Sequence, residues 1–157
     1  MMKSTLAALL LALAASAGAA TDAGSFTLLD RHTARAVTAP RSDARPTVVA
    51  LWASDCAYCK QNLHTLATLA KTNPQLRIVT VAAELPTADT RPAIDKTGVK
   101  GERLAYGDDV PEALAYAIDP NWRGELPRTY LFDGKGGMQA RSGVIDTAGF
   151  KAALGLR

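Results

Sequence analysis

The sequence predicts an α/β domain built on a central mixed β-sheet flanked by helices, and three features of its pattern carry that expectation. Thr47-Val48-Val49-Ala50-Leu51-Trp52 and Leu76-Arg77-Ile78-Val79-Thr80-Val81-Ala82 are β-branched, apolar runs of the kind found in parallel strands buried on both faces. Between them Leu63, Leu66, Ala67, Leu69 and Ala70 recur at helical spacing, so strand, helix and strand make a right-handed βαβ unit. Farther on, Arg128 to Phe132 and Met138 to Ser142 flank the turn Asp133-Gly134-Lys135-Gly136-Gly137, which predicts an antiparallel hairpin and makes the sheet mixed.

Taken in order, the chain opens with Lys3, the apolar stretch Leu6 to Ala15 and then small residues, the pattern of a secretory signal peptide. The apolar run is too short for a membrane span and lacks a basic flank, so no stable membrane insertion is expected. Cleavage should follow Ala17 or Ala20, which makes residues 1–20 the signal peptide and 21–157 a single domain exported to the periplasm. Phe26 to Val37 reads as an N-terminal β-hairpin extension, with His32 on it, and the polar turn Arg41 to Pro46 leads into the first core strand. Ala53-Ser54-Asp55 breaks that strand, a helix runs on from Cys56, and Asn73-Pro74 ends it. After the second core strand comes an insertion, with a short helix over Thr90 to Thr97 that stops at Gly98 and a short strand over Arg103 to Tyr106. Asp109, Pro111 and Glu112 predict a side-chain-capped helix start leading into Ala113 to Ile118. Leu126-Pro127 precedes the hairpin, and a helix near Thr147 to Leu154 closes the chain.

Eighteen Lys and Arg against fifteen Asp and Glu give a formal net charge of +3, and losing Lys3 with the leader lowers it by one. No basic field results, and the loose string Arg31, Arg35, Arg41 and Arg45 reads as a solvated face, so nucleic acid is excluded as a partner. The turn at Lys135 lacks the spacing and hydroxyl of a phosphate loop. The two cysteines are the most informative residues. A staple between Cys56 and Cys59 would close almost no loop, which argues against a structural bridge and for redox chemistry. Zinc would need two further ligands, and the histidines are His32 and His64 alone. Neither a metal nor an organic cofactor is therefore expected. At the start of a helix, unpaired N–H groups and the helix dipole stabilise the thiolate of Cys56, the form that attacks a disulfide. Cys59 lies one turn deeper on the same face, placed to resolve the mixed disulfide.

With Trp52-Ala53-Ser54-Asp55-Cys56-Ala57-Tyr58-Cys59 and Leu126-Pro127-Arg128-Thr129-Tyr130-Leu131 in view, the chain resembles the thioredoxin superfamily. Within it the sequence is similar to the TlpA-like branch of periplasmic disulfide reductases, which includes proteins serving cytochrome c maturation. The resemblance runs from about Phe26 to the C-terminus and rests on Trp-x-x-x-Cys-x-x-Cys followed by Leu-Pro before a strand. It implies a thioredoxin fold, Cys56 and Cys59 as a catalytic dithiol, and a cis bond at Leu126-Pro127 beside them. It further implies substrate contact at Trp52, Tyr58, Leu126 and Pro127. Its expected partners are protein disulfides and a membrane thiol electron donor, met as a monomer.

Four positions depart from the family pattern. Asp55 stands where a large residue is common, Ala50 where thioredoxins carry a buried acid, Asn62 where TlpA-like reductases often have Glu, and Tyr58 where proline is common. Glu84, Asp55 or water is left to carry the proton of Cys59. Beside the reductase stand an oxidase or isomerase, and a binding or metal-handling module that has kept the fold without turnover.

Overall fold

The computed structural model describes residues 26–41 and 43–157, so the expected signal peptide and its cleavage site lie outside the described residues. Six strands, β1 (Thr27–Leu29), β2 (Thr47–Trp52), β3 (Arg77–Ala82), β4 (Glu102–Tyr106), β5 (Arg128–Phe132) and β6 (Met138–Ser142), form one sheet in the order β1-β4-β3-β2-β5-β6. β1, β4, β3 and β2 run parallel, whereas β5 and β6 are antiparallel to their neighbours. The sheet is thus mixed, as its strand pattern predicts. Among the described residues five helices flank it: α1 (Arg31–Ala34), α2 (Ala57–Thr72), α3 (Thr90–Asp95), α4 (Pro111–Ile118) and α5 (Thr147–Leu154).

The central strand β2 is buried at every position and divides its side chains between two cores. Val48, Ala50 and Trp52 face a cluster that includes Leu63 and Leu66 of α2, Ile94 of α3 and Phe150 of α5. Val49 and Leu51 face the opposite cluster, with Ala34 of α1 and Leu114 and Ile118 of α4. Strict alternation along a pleated strand produces this division. Each large side chain removed from water contributes about 1.5–3 kcal/mol, so two filled faces hold the sheet between its helices. α2 follows the 3.6-residue period, burying Cys59, Leu63, Leu66 and Leu69, and it ends at Asn73 as the Asn-Pro pair predicts.

Two expectations need correction. Residues 26–37 do not form a β-hairpin: β1 pairs in parallel with β4, and Asp30 then starts α1. Asp30 Oδ1 accepts from the Thr33 N–H at 2.7 Å, while the Thr33 hydroxyl accepts from the Asp30 N–H at 2.9 Å. This reciprocal cap uses the polar residues that read as a turn, and it puts His32 on an exposed helical turn. Nor does Asp109 cap α4, whose N-cap is Val110 with no side-chain bond. Its carboxylate instead accepts from Arg31 N–H at 3.2 Å and Arg31 Nε at 3.0 Å, because parallel pairing of β1 with β4 brings those two loops together. The insertion after β3 is present as α3 and β4, and β4 lies between β3 and β1.

Candidate active site

β2 ends at Trp52, and α2 begins at Ala57 with Cys56 as its N-cap. Cys56 and Cys59 are joined by a disulfide with Cα atoms 5.3 Å apart. The Cys59 N–H points at Cys56 Sγ, 3.2 Å away, as the helix's third N–H points at a capping oxygen. The two sulfurs occupy different environments. Cys56 is partly exposed, whereas Cys59 is 1% exposed and belongs to the core beneath α2. A charge developing on Cys56 meets the positive end of a sixteen-residue helix, and one on Cys59 develops in the core, shut off from water.

The Leu126-Pro127 bond is cis. Leu51 and Arg128 are the last paired residues of the β2/β5 ladder, so Trp52 and Pro127 are the next residues along the two strands, at the sheet end that carries the cysteines. Leu126 and Cys56 pack against the same buried cluster, which contains Trp52 and Cys59. Tyr58 projects into solvent at 66% exposure, and Leu126 is partly exposed. Both can meet a partner. Trp52 is wholly buried, in the cluster that also holds Cys59, and offers no surface to a partner.

Asn62 has a structural task that its position in the sequence does not disclose. Fully buried, it donates from Nδ2 to Gly143 O at 3.0 Å and accepts from Ile145 N–H at 2.9 Å, while Gly143 N–H donates to Pro127 O at 2.9 Å. The helix that carries the cysteines is thereby tied to the loop that holds the cis-proline. A carboxylate at this place could not donate to Gly143. Glu84 anchors the other side: its Oε1 accepts from Ser54 N–H at 3.0 Å and from the Thr90 hydroxyl at 3.3 Å, which binds the loop before Cys56 to α3. Asp55 is exposed, and it shares a groove between α2 and α3 with Lys60, His64, Asp89 and Lys96. Ala50 is buried in the same cluster as Cys59.

Behind the proline, Arg128 organises a second group on the opposite face. Its Nη2 lies 2.7 Å from Asp119 Oδ2 and its Nη1 donates to Ser142 Oγ at 3.0 Å, while the Tyr130 hydroxyl donates to Asp119 at 3.0 Å. Trp122 Nε1 donates to Glu125 O at 2.9 Å, which fixes the residue just before Leu126. Sequence reasoning missed this support and the Asn62 clasp.

No family model and no curated protein matches the sequence. Solved structures do match the fold. A secreted Mycobacterium tuberculosis disulfide oxidoreductase described as homologous to Escherichia coli DsbE is 16% identical, with a TM-score of 0.56 over 72% of this chain and 82% of that one. A thiol:disulfide interchange protein of the thioredoxin family from Chlorobium tepidum is 17% identical, with a TM-score of 0.59 over 72% and 79%. A thioredoxin-related protein from Neisseria meningitidis serogroup B is 21% identical, with a TM-score of 0.52 over 74% and 90%.

Proposed function

We propose that this chain, whose fold is the thioredoxin fold, is a thiol-disulfide oxidoreductase of the bacterial cell envelope that reduces disulfides in other exported proteins. One observation carries the reading: a disulfide caps α2 at the end of the central strand, with one sulfur partly exposed, the other buried, and Leu126-Pro127 at the same sheet end. That division of environments is what a two-step exchange requires.

In the dithiol form, the Cys56 thiolate attacks one sulfur of a partner's disulfide, and the other partner sulfur leaves and takes up a proton. Cys59 then loses its proton and attacks Cys56 Sγ. The Cys56–Cys59 bond forms as the bond to the partner breaks, so the partner gains two electrons and this chain loses two. Tyr58 and Leu126 offer the exposed apolar contacts beside the reacting sulfur, and Leu126 backbone groups pair with the extended partner segment. A membrane thiol carrier must restore the dithiol, because the compartment is oxidising. The TlpA-like resemblance points to cytochrome c maturation as a process such a reductant serves. The chain works as a monomer and needs no metal or organic cofactor.

The test separates the two sulfurs. Cys56→Ser should abolish exchange with a protein disulfide, whereas Cys59→Ser should accumulate mixed disulfides, since the attacking thiol remains and the resolving one is gone. Trapping by Cys56→Ser instead would reverse the roles. Failure of the intact dithiol to reduce any protein disulfide would leave a binding or metal-handling module.

A further inference from the structure

Two buried polar atoms on the α2 side of the sheet have no hydrogen-bond partner among the described residues: Thr129 Oγ and Trp52 Nε1. Buried hydroxyl and indole groups are nearly always paired, so each exception calls for a physical account. These two lie close together in the fold. Val48, Ala50 and Trp52 of β2 face α2, and Thr129 of β5 stands directly opposite Ala50. Tyr130 and Phe132 turn toward the other core, so alternation puts the Thr129 side chain on the α2 face with Leu131. On the far side of Ala50 stands Thr80, whose hydroxyl donates to Glu102 O at 3.2 Å. A row Thr129, Ala50, Thr80 therefore crosses the sheet beneath α2, with one hydroxyl committed and one not.

Cys59 is the group in this region whose chemistry changes. In the disulfide its sulfur is bonded to Cys56; in the dithiol it must become a thiolate while 1% exposed, in the buried cluster that also holds Ala50 and with Asn62 committed to the Gly143 loop. A buried anion needs a donor or it stays protonated. We propose that the Thr129 hydroxyl is that donor, turning to Cys59 Sγ when the disulfide opens and so replacing the missing acid with a hydrogen bond that favours the thiolate. The idle hydroxyl of the oxidised form is then the reduced form's partner. This inference rests on the thiol-disulfide reading above. In the resolving step the Cys59 proton passes to solvent, and the thiolate held by Thr129 attacks Cys56 Sγ. The partner sulfur departs as a thiolate and is protonated by solvent.

The reduced protein is mixed with a chromogenic aromatic disulfide across the neutral pH range. The first thiol released reports attack by Cys56, and the second reports resolution by Cys59. Thr129→Val removes the hydroxyl at nearly constant volume. It should move the pH profile of the second release upward by about one unit. At neutral pH the second release should slow about threefold, since a tenfold smaller thiolate fraction is partly offset by a more nucleophilic sulfur. The first release should be unchanged, and Thr129→Ser should follow the wild type. Should Val disturb packing, Thr129→Ala is read in the same way. A second-release profile of the Val or Ala variant that superimposes on the wild type overturns the role of Thr129. Absence of both releases in the wild type overturns the exchange reading itself.

Discussion

Asp55 is the residue whose charge bears most directly on which way electrons flow. It precedes Cys56 immediately, so its carboxylate opposes the thiolate that the helix start favours. Exposure limits the effect, because charges in contact with water interact by about 0.2–1 kcal/mol. Spread over a two-electron couple, that corresponds to about 5–20 mV. Asp55→Ala should therefore shift the reduction potential toward the oxidising side by that amount when the protein is equilibrated with glutathione of known ratio. A shift in the reducing direction would show that Asp55 acts otherwise, and a wild-type potential as oxidising as that of dedicated disulfide donors would remove the reductase direction. At the same scale, Asn62 shows why an absent acid is not an empty place. Its amide has both a donor and an acceptor, and the Gly143 and Ile145 backbone needs both.

Between elements, the connector from α4 to β5 decides where Leu126 and Pro127 stand. Arg128 and Asp119 hold its two ends together with side chains only 13% and 15% exposed. Burial works to raise the Asp119 carboxyl, but hydrogen bonds from Arg128, the Asn121 N–H and Tyr130 outweigh it, and the net effect holds the group below its usual 3.8. A carboxyl lowered by folding contributes stability above its unfolded value, and that contribution is lost as pH falls through the lower folded value. Asp119→Asn should thus destabilise the protein at pH 7, by about 1–3 kcal/mol for a broken charge-assisted contact. It should also make stability fall less steeply than in the wild type from about pH 4 downward, which denaturant unfolding at a series of pH values measures. Parallel falls in the two proteins would mean that Asp119 titrates alike in both states. On the same face, burial alone pushes the Tyr106 hydroxyl up to about 12, in keeping with its lack of a hydrogen-bond partner among the described residues.

For the molecule as a whole, export is the expectation on which the cellular reading depends. N-terminal sequencing of the exported protein should find a start near Gly18 to Thr21, whereas an intact Met1 in the membrane fraction would contradict it. Within the described residues, the sequence by itself determined the strands β2, β3, β5 and β6, the helix α2 and the Cys56–Cys59 pair at its start. Each of these is written in residues a few positions apart, as apolar period, turn composition or cysteine spacing, and short-range sterics and burial suffice to decide them. The Leu-Pro pair, with the resemblance behind it, also marked the bond that is cis. Only the tertiary structure decided that Trp52 lies out of a partner's reach, since exposure depends on what covers a strand end. It likewise made Asp109 a partner of Arg31, 78 positions away, and Asn62 a clasp on Gly143, 81 positions away. Local pattern cannot encode such partners, because a polar side chain is satisfied by whichever backbone groups the packed sheet and helices bring to it.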